Sequence, residues 1–385
     1  MMRMRNKLAG LSILLALSVP ASAQKRLKAD INTETPEGQM LQQIGQEQDE
    51  AKKTALMEEF LSKHGSHGGA LWVRGLIVPR YAKAGQHDKT IAAVDAILVA
   101  DPADAEMAHQ GLKATEAKSD PELVIAWAKK TKAAAAMAEK APKPGDETEA
   151  ENWTHAVDFA KQVEKYCEYS LYAQALKTQE PAAKIKLMDT VKELNPQSEY
   201  LPQLDESYFV AYRQANQNDK AAEVAIRMAA ANRANEDTYL FLTSHYSAAK
   251  DAAKVAEYAQ KTVDTIKDKP APAGVDAAAW EKRRQSIMGI GLQVLGVSYS
   301  GQSKWAQADK TLREALPLIE NPQMKAEALF HLGLANYRMG AASKDPSKLI
   351  LEALKFNQQC AAIQSPFQGP AQKNISAIRS QYKMK

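Results

Sequence analysis

One short pattern of large and small residues recurs along this 385-residue chain, and it constrains the fold more than any other feature. Its clearest copy runs from Gly289 to Glu320. Leu292, Leu295, Gly296 and Tyr299 fall on one predicted helix, and Trp305, Ala308, Leu312 and Ala315 fall on the next. Gly296 and Ala308 lack the bulk to hold two antiparallel helices apart, so the larger residues can fill the holes on each side of the contact. Ala326–Tyr337 repeats the grammar with Leu329, Leu332, Gly333, Asn336 and Tyr337, and an insertion, Ala341–Ser347, precedes a partner helix carrying Ala353 and Cys360. Other copies contain Tyr81, Gly85, Val94, Ile97 and Pro102, then Lys184, Met188, Val191 and Pro196. Tyr212, Asn216, Ala221, Ala225 and Met228 make a further copy, and Tyr239, Leu242 and Tyr246 begin another. The second helices are punctuated at Asp101-Pro102, Asn195-Pro196 and Asn321-Pro322, which an ordinary helical bundle has no reason to do.

With a period of about 34 residues, these stretches resemble the tetratricopeptide-repeat family. The resemblance covers about Tyr200–Pro366 and Gly69–Pro102, and the match is loose between Asp104 and Pro181. It implies an all-α fold, a right-handed α-α superhelical solenoid of tetratricopeptide-type helix pairs. A composition rich in Ala, Lys, Glu, Gln and Leu agrees with helices throughout.

The organisation expected from the sequence has six parts. Residues 1–23 read as a signal peptide: Arg3, Arg5 and Lys7 precede the apolar run Leu8–Val19, Pro20 breaks it, and Ala21-Ser22-Ala23 offers a cleavage site. The apolar run is too short to span a bilayer, which takes about 20 residues. Residues 24–36 are expected to be a mobile N-terminal segment and 37–140 helical repeats with a capping helix at Glu37–Leu61. Residues 141–199 hold a long helix, about Glu147–Lys177, and an irregular repeat. Residues 200–366 hold the clearest repeats, and 367–385 a C-terminal capping helix, since stacked repeats otherwise expose an apolar end. Proline-glycine linkers at Lys140–Gly145 and Lys269–Gly274 lengthen two junctions.

The charge pattern excludes one class of partner. The chain has 50 Lys+Arg and 46 Asp+Glu, and removing the three leader cations leaves 47 against 46. A nearly neutral, mixed surface does not suit nucleic acid, which calls for a clustered basic face. No segment after the leader is apolar enough to span a membrane, and end-to-end self-association stays open. The two cysteines, Cys167 and Cys360, are expected to be buried free thiols, because repeats separate them by more than the ~7 Å that a disulfide tolerates.

Candidate chemistry is sparse. His64-Gly-Ser-His67-Gly-Gly is the best alternative, an exported enzyme or metal site using His64 and His67. Zinc asks for three or four ligands, and the plain reading is a helix end where Gly65, Gly68 and Gly69 supply left-handed turns. Gly289-Ile-Gly291 with Gly296 lacks the preceding strand of a dinucleotide loop. No catalytic residue, cofactor or metal is assigned.

What the resemblance implies instead is a groove lined by the first helix of each pair, which receives a segment of a partner protein. Its lining would include Gln203, Glu206, Arg213 and Gln214, then Asp237, Leu240, Ser244 and Ser247, then Ile290, Gln293, Val297 and Ser300, then Glu327. The lining lacks the repeated Lys and Asn by which chaperone-binding members clamp a C-terminal carboxylate. Arg213, Gln214, Phe330, Leu334, Tyr337 and Arg338 are the expected partner-binding residues, with Phe330, Tyr337 and Arg338 as the anchor, because aromatic and arginine side chains carry interface energy. Together with the leader, this points to a non-catalytic interaction scaffold of the bacterial cell envelope, periplasmic or extracellular.

Overall fold

A computed structural model describes Arg26, Ala29 and residues 31–383; the expected leader, 1–23, lies outside the described residues. Among the described residues there are seventeen α-helices, one 3-10 turn and no strand. The chain divides into two compact units, Met1–Leu204 and Asp205–Lys385.

The first unit holds α1 (Pro36–Gln46), α2 (Glu50–His64), α3 (Ala70–Lys83), α4 (His87–Ala100), α5 (Ala105–Lys118), α6 (Pro121–Glu139), α7 (Glu147–Lys177) and α8 (Pro181–Leu194). The helix α9 (Leu201–Gln214) begins there and runs on into the second unit. The second unit continues with α10 (Asn218–Ala230), α11 (Glu236–Ala248), α12 (Ala252–Ile266), α13 (Ala277–Gly301) and α14 (Trp305–Ala315), then the 3-10 turn Leu316–Leu318, α15 (Pro322–Ala341), α16 (Ser347–Ala361) and α17 (Gln368–Gln381).

Within each unit, helices pack against their neighbours in sequence as hairpins, and alternate helices also touch, as α3 with α5, α5 with α7, and α13 with α15. Those contacts set first helices side by side within a unit. Buried residues follow the helical period: Val255, Tyr258, Ala259, Thr262, Val263 and Ile266 make a single stripe along α12.

Three hairpins close on a glycine. A Cβ on Gly296 would lie 2.5 Å from Leu312 Cγ, one on Gly333 would lie 2.3 Å from Asn357 Nδ2, and one on Gly111 would lie 2.0 Å from Trp127 Cζ3. Gly111–Trp127 and Gly296–Leu312 share one sequence offset, so α5–α6 is a repeat of the same kind inside the stretch where the sequence match is loose. The insertion after α15 lengthens the offset for Gly333 and Asn357.

The turns within the hairpins repeat as well. Gly85, Ser119, Asn216, Lys250 and Ser303 each adopt positive φ, between 54° and 67°, just after the first helix of a pair. Gly85 and Ser119 lie 34 residues apart, as do Asn216 and Lys250. A left-handed residue there ends one helix and reverses the chain. Side-chain caps on Asp104, Asp120, Asn235, Asp251 and Asn321 start the next. The two proline-glycine linkers are fastened alike: Trp153 Nε1 donates to Ala141 O at 2.9 Å, and Trp280 Nε1 to Lys269 O at 3.2 Å.

Several expectations need correction. Glu37–Leu61 is two helices, α1 and α2, because Asp49 caps a new helix with bonds to Ala51 N and Lys52 N. Gly65 and Gly69 are not left-handed, with φ of −61° and −73°. They are small for want of space: a Cβ would lie 2.6 Å from Leu61 O at Gly65 and 2.5 Å from Leu41 Cδ1 at Gly69. In the segment 24–36, expected to be mobile, Arg26 is buried and ion-paired. The long helix Glu147–Lys177 is α7, which packs along α6, α8 and α5.

The α5–α7 contact carries a buried polar seam. The His109 ring meets Tyr166 at 4.6 Å and Phe159 at 6.0 Å, and Tyr166 OH donates to Glu116 Oε2 at 2.9 Å. His109 Nε2, Glu116 Oε1 and Ser170 Oγ find no hydrogen-bond partner. Burial first, and the Lys113 charge second, pull the His109 pKa down to about 4.

Gly111→Ala is expected to lower the urea midpoint, costing about 1–3 kcal/mol through overpacking against Trp127. Gly45→Ala, in α1 with open space around its Cβ, should leave the midpoint unchanged or raise it. His109 binds its proton more weakly in the folded state than in the unfolded one, so it weakens the fold as pH falls from 6.5 towards 4. The loss, about 3 kcal/mol at ~1.4 kcal/mol per pH unit, should appear in chemical denaturation between those limits and flatten in His109→Phe.

Candidate interaction face of the second unit

The first helices of the second unit, α9, α11, α13 and α15, carry the residues expected to line a groove. Arg213, near the end of α9, is exposed, and its guanidinium lies over two rings, 5.2 Å from Phe241 and 5.9 Å from Phe209. Phe209 and Phe241 meet edge to face at 5.2 Å, and His245 stacks on Phe241 at 6.4 Å. Gln214 is exposed beside Arg213. A guanidinium lying on aromatic faces keeps its N–H groups free for an acceptor while losing little side-chain freedom.

The ring series continues through α11 and α12. His245 meets Tyr246 at 5.1 Å, and Tyr246 stacks on Tyr258 at 5.5 Å. Lys254 lies over both tyrosines, at 5.8 and 5.6 Å. Phe241 and His245 were missed in the sequence reading. The signal was present in their position on the Asp237 face of α11, four and eight residues on.

Farther along, Ser247, Lys250, Gln293, Val297 and Glu327 surround a cleft of about 300 Å³. Four of these five belong to the expected lining; Lys250 enters because the left-handed turn after α11 brings it there. Gln293 Nε2 donates to Glu327 Oε2 at 2.8 Å, so a polar bridge joins α13 to α15 at the cleft. Beyond it, Ser300 Oγ and His331 Nδ1 lie 2.8 Å apart, and burial lowers the His331 pKa.

The expected anchor stands in a different setting. Phe330 is half-buried, with its ring 5.3 Å from Phe367 at the start of α17. The Tyr337 hydroxyl donates to Gln381 Oε1 of α17 at 2.8 Å, and its ring packs with Ile350, Leu354 and Ile378. Both hold the C-terminal helix. Leu334 is half-buried between them in sequence, and exposed Arg338 lies over Trp305 at 5.9 Å. These four are therefore separate from the Arg213–Phe241 platform. Of the other expected lining residues, Gln203 sits in the first unit, where it accepts from Tyr172 OH at 3.4 Å, and Asp237 pairs with Arg283 at 2.5 Å.

The histidines of the Gly-rich loop and the two cysteines stand apart from this face. His67 Nδ1 accepts from Gly69 N at 3.0 Å, and both His64 and His67 pack on Phe60. Among the described residues no three His, Cys, Asp or Glu side chains gather as a metal site. Cys167 and Cys360 are free and buried, and burial raises their thiols to about 12 and about 11, which keeps them protonated. Among the described residues no helix is long and apolar enough to cross a membrane.

No family model and no curated protein matches the chain. Two solved structures are similar to it. One is the APC/C hetero-tetramer Cut9-Hcn1, at 14% identity and a TM-score of 0.27, covering 93% of this chain and 60% of that one. The other is the P58(IPK) TPR domain, at 12% identity and a TM-score of 0.23, covering 80% of this chain and 97% of that one. The chain thus spans about three fifths of the first structure's length. Likenesses this distant add nothing to the packing described above. The likeness of one helix pair to the next rests on the glycine-closed hairpins and their left-handed turns.

If the Phe330 and Tyr337 rings hold α17, Phe330→Ala/Tyr337→Ala should lower the thermal midpoint and speed proteolysis of α17. A variant as resistant as the parent would remove that assignment.

Proposed function

We propose that the chain is a non-catalytic scaffold that holds a segment of a partner protein across the first-helix face of the second unit. The observation that carries this reading is the exposed Arg213 guanidinium lying on Phe241 and Phe209. An arginine-on-aromatic platform is the kind of feature that dominates interface energetics. The neighbouring cleft adds the donors Lys250 and Gln293, with Val297 as an apolar wall. The partner segment that suits this face has an aromatic or aliphatic side chain to cover Phe241 and a carboxylate to meet Arg213.

The leader-like residues 1–23 support placing this activity in the cell envelope, outside the cytoplasm. The near-neutral charge of the rest argues for a protein partner over nucleic acid. The His64–His67 loop has no place in this function, since His67 Nδ1 is spent on the backbone of its own turn.

Affinity capture from the envelope fraction tests the assignment. Arg213→Ala/Phe241→Ala should lose the captured protein by at least about ten-fold, as hot-spot truncations do, with helix content unchanged. Capture equal to that of the parent chain would move the binding face elsewhere.

A further inference from the structure

Arg26 lies ten residues before the first helix, yet it is 5% exposed. Its Nε donates to Asp104 Oδ2 at 2.6 Å and its Nη2 to Glu106 Oε2 at 2.5 Å. Its methylene stem lies on Gly75 of α3, where a Cβ would stand 3.2 Å from Arg26 Cδ and 3.4 Å from Arg26 Cβ. Gly75 lies on α3, Glu106 on α5, and Asp104 is the residue that caps α5.

This arrangement has the form of a filled binding site. The Asp104 side chain is fully buried, and its other oxygen caps α5 by accepting from Met107 N at 3.0 Å. A buried carboxylate is costly unless paired, and burial raises the Asp104 pKa even with Arg26 beside it. Two acceptors from neighbouring positions meet two different nitrogens of one guanidinium, a geometry that an ammonium cannot reproduce. The glycine floor leaves room for the stem. An arginine tethered by a short segment competes at an effective concentration of order millimolar, so even a modest intrinsic affinity keeps the site full.

We propose that Arg26 is an internal ligand of the first unit: it fills a guanidinium socket built by Gly75, Asp104 and Glu106, and an arginine-bearing segment of a partner takes that socket by displacing it. The socket recognises an arginine side chain, because that is what occupies it. The socket shares no residue with the second-unit platform.

The test uses the purified full chain and a fluorescent peptide of residues 24–35, read by anisotropy. Arg26→Ala, which empties the socket, should bind the peptide at least about ten-fold more tightly than the parent chain. Glu106→Gln in that background, or Arg26→Ala in the peptide, should remove the gain. Equal binding by parent and Arg26→Ala chains overturns the proposal. Should Arg26→Ala lose its helical signal, limited trypsin digestion of the parent and Glu106→Gln chains decides. Cleavage after Arg26 should be several-fold faster in Glu106→Gln, and equal rates overturn the proposal.

Discussion

The structure depends on how closely two helices of a hairpin can approach. Where Gly111, Gly296 and Gly333 stand, the facing side chain of Trp127, Leu312 or Asn357 fills the space that a methyl group would need. Close approach brings side chains on both sides of the contact into register, which buries Leu292, Leu295 and Ala308 together. A left-handed residue after the first helix sets the reversal, and its recurrence after 34 residues carries the same geometry from one pair to the next. Once these two conditions hold, the faces of first and second helices follow without further instruction.

The first-helix faces are where the chain departs from pure packing. In the second unit the departure is an exposed arginine on two phenylalanines beside a polar cleft. In the first unit it is a buried carboxylate already satisfied by an arginine from far away in sequence. In both, charge is held in fixed directions by aromatic or glycine surroundings. The thiols are buried and protonated, His109 is held neutral, and His67 accepts a hydrogen bond from its own turn.

Much of the fold was legible because repeat geometry is local. Gly296, Leu312 and Gly333 stand at fixed offsets, α7 begins and ends where its helix-forming run does, and Asn321-Pro322 starts α15. The repeat at α5–α6 was less legible because Trp127 faces Gly111, and most of the other marker positions carry residues of a different size. The glycines at 65 and 69 were misread because smallness demanded by Leu61 O and Leu41 looks, in sequence, the same as smallness demanded by a left-handed turn.

The candidate face was only half legible. Helical period alone marks which side of α9, α11, α13 and α15 faces away from the partner helix, so Arg213, Gln293 and Glu327 could be named. It does not say which of those side chains a later element will cover, and α17 covers Phe330 and Tyr337. Nor does it bring together residues distant in the chain, as Arg26 is from Asp104. The sequence by itself determined paired helices, because turn residues, caps and small-residue contacts act over a few to a few tens of positions. Tertiary structure alone decided which exposed groups stay free, because that depends on contacts between elements that no local spacing encodes.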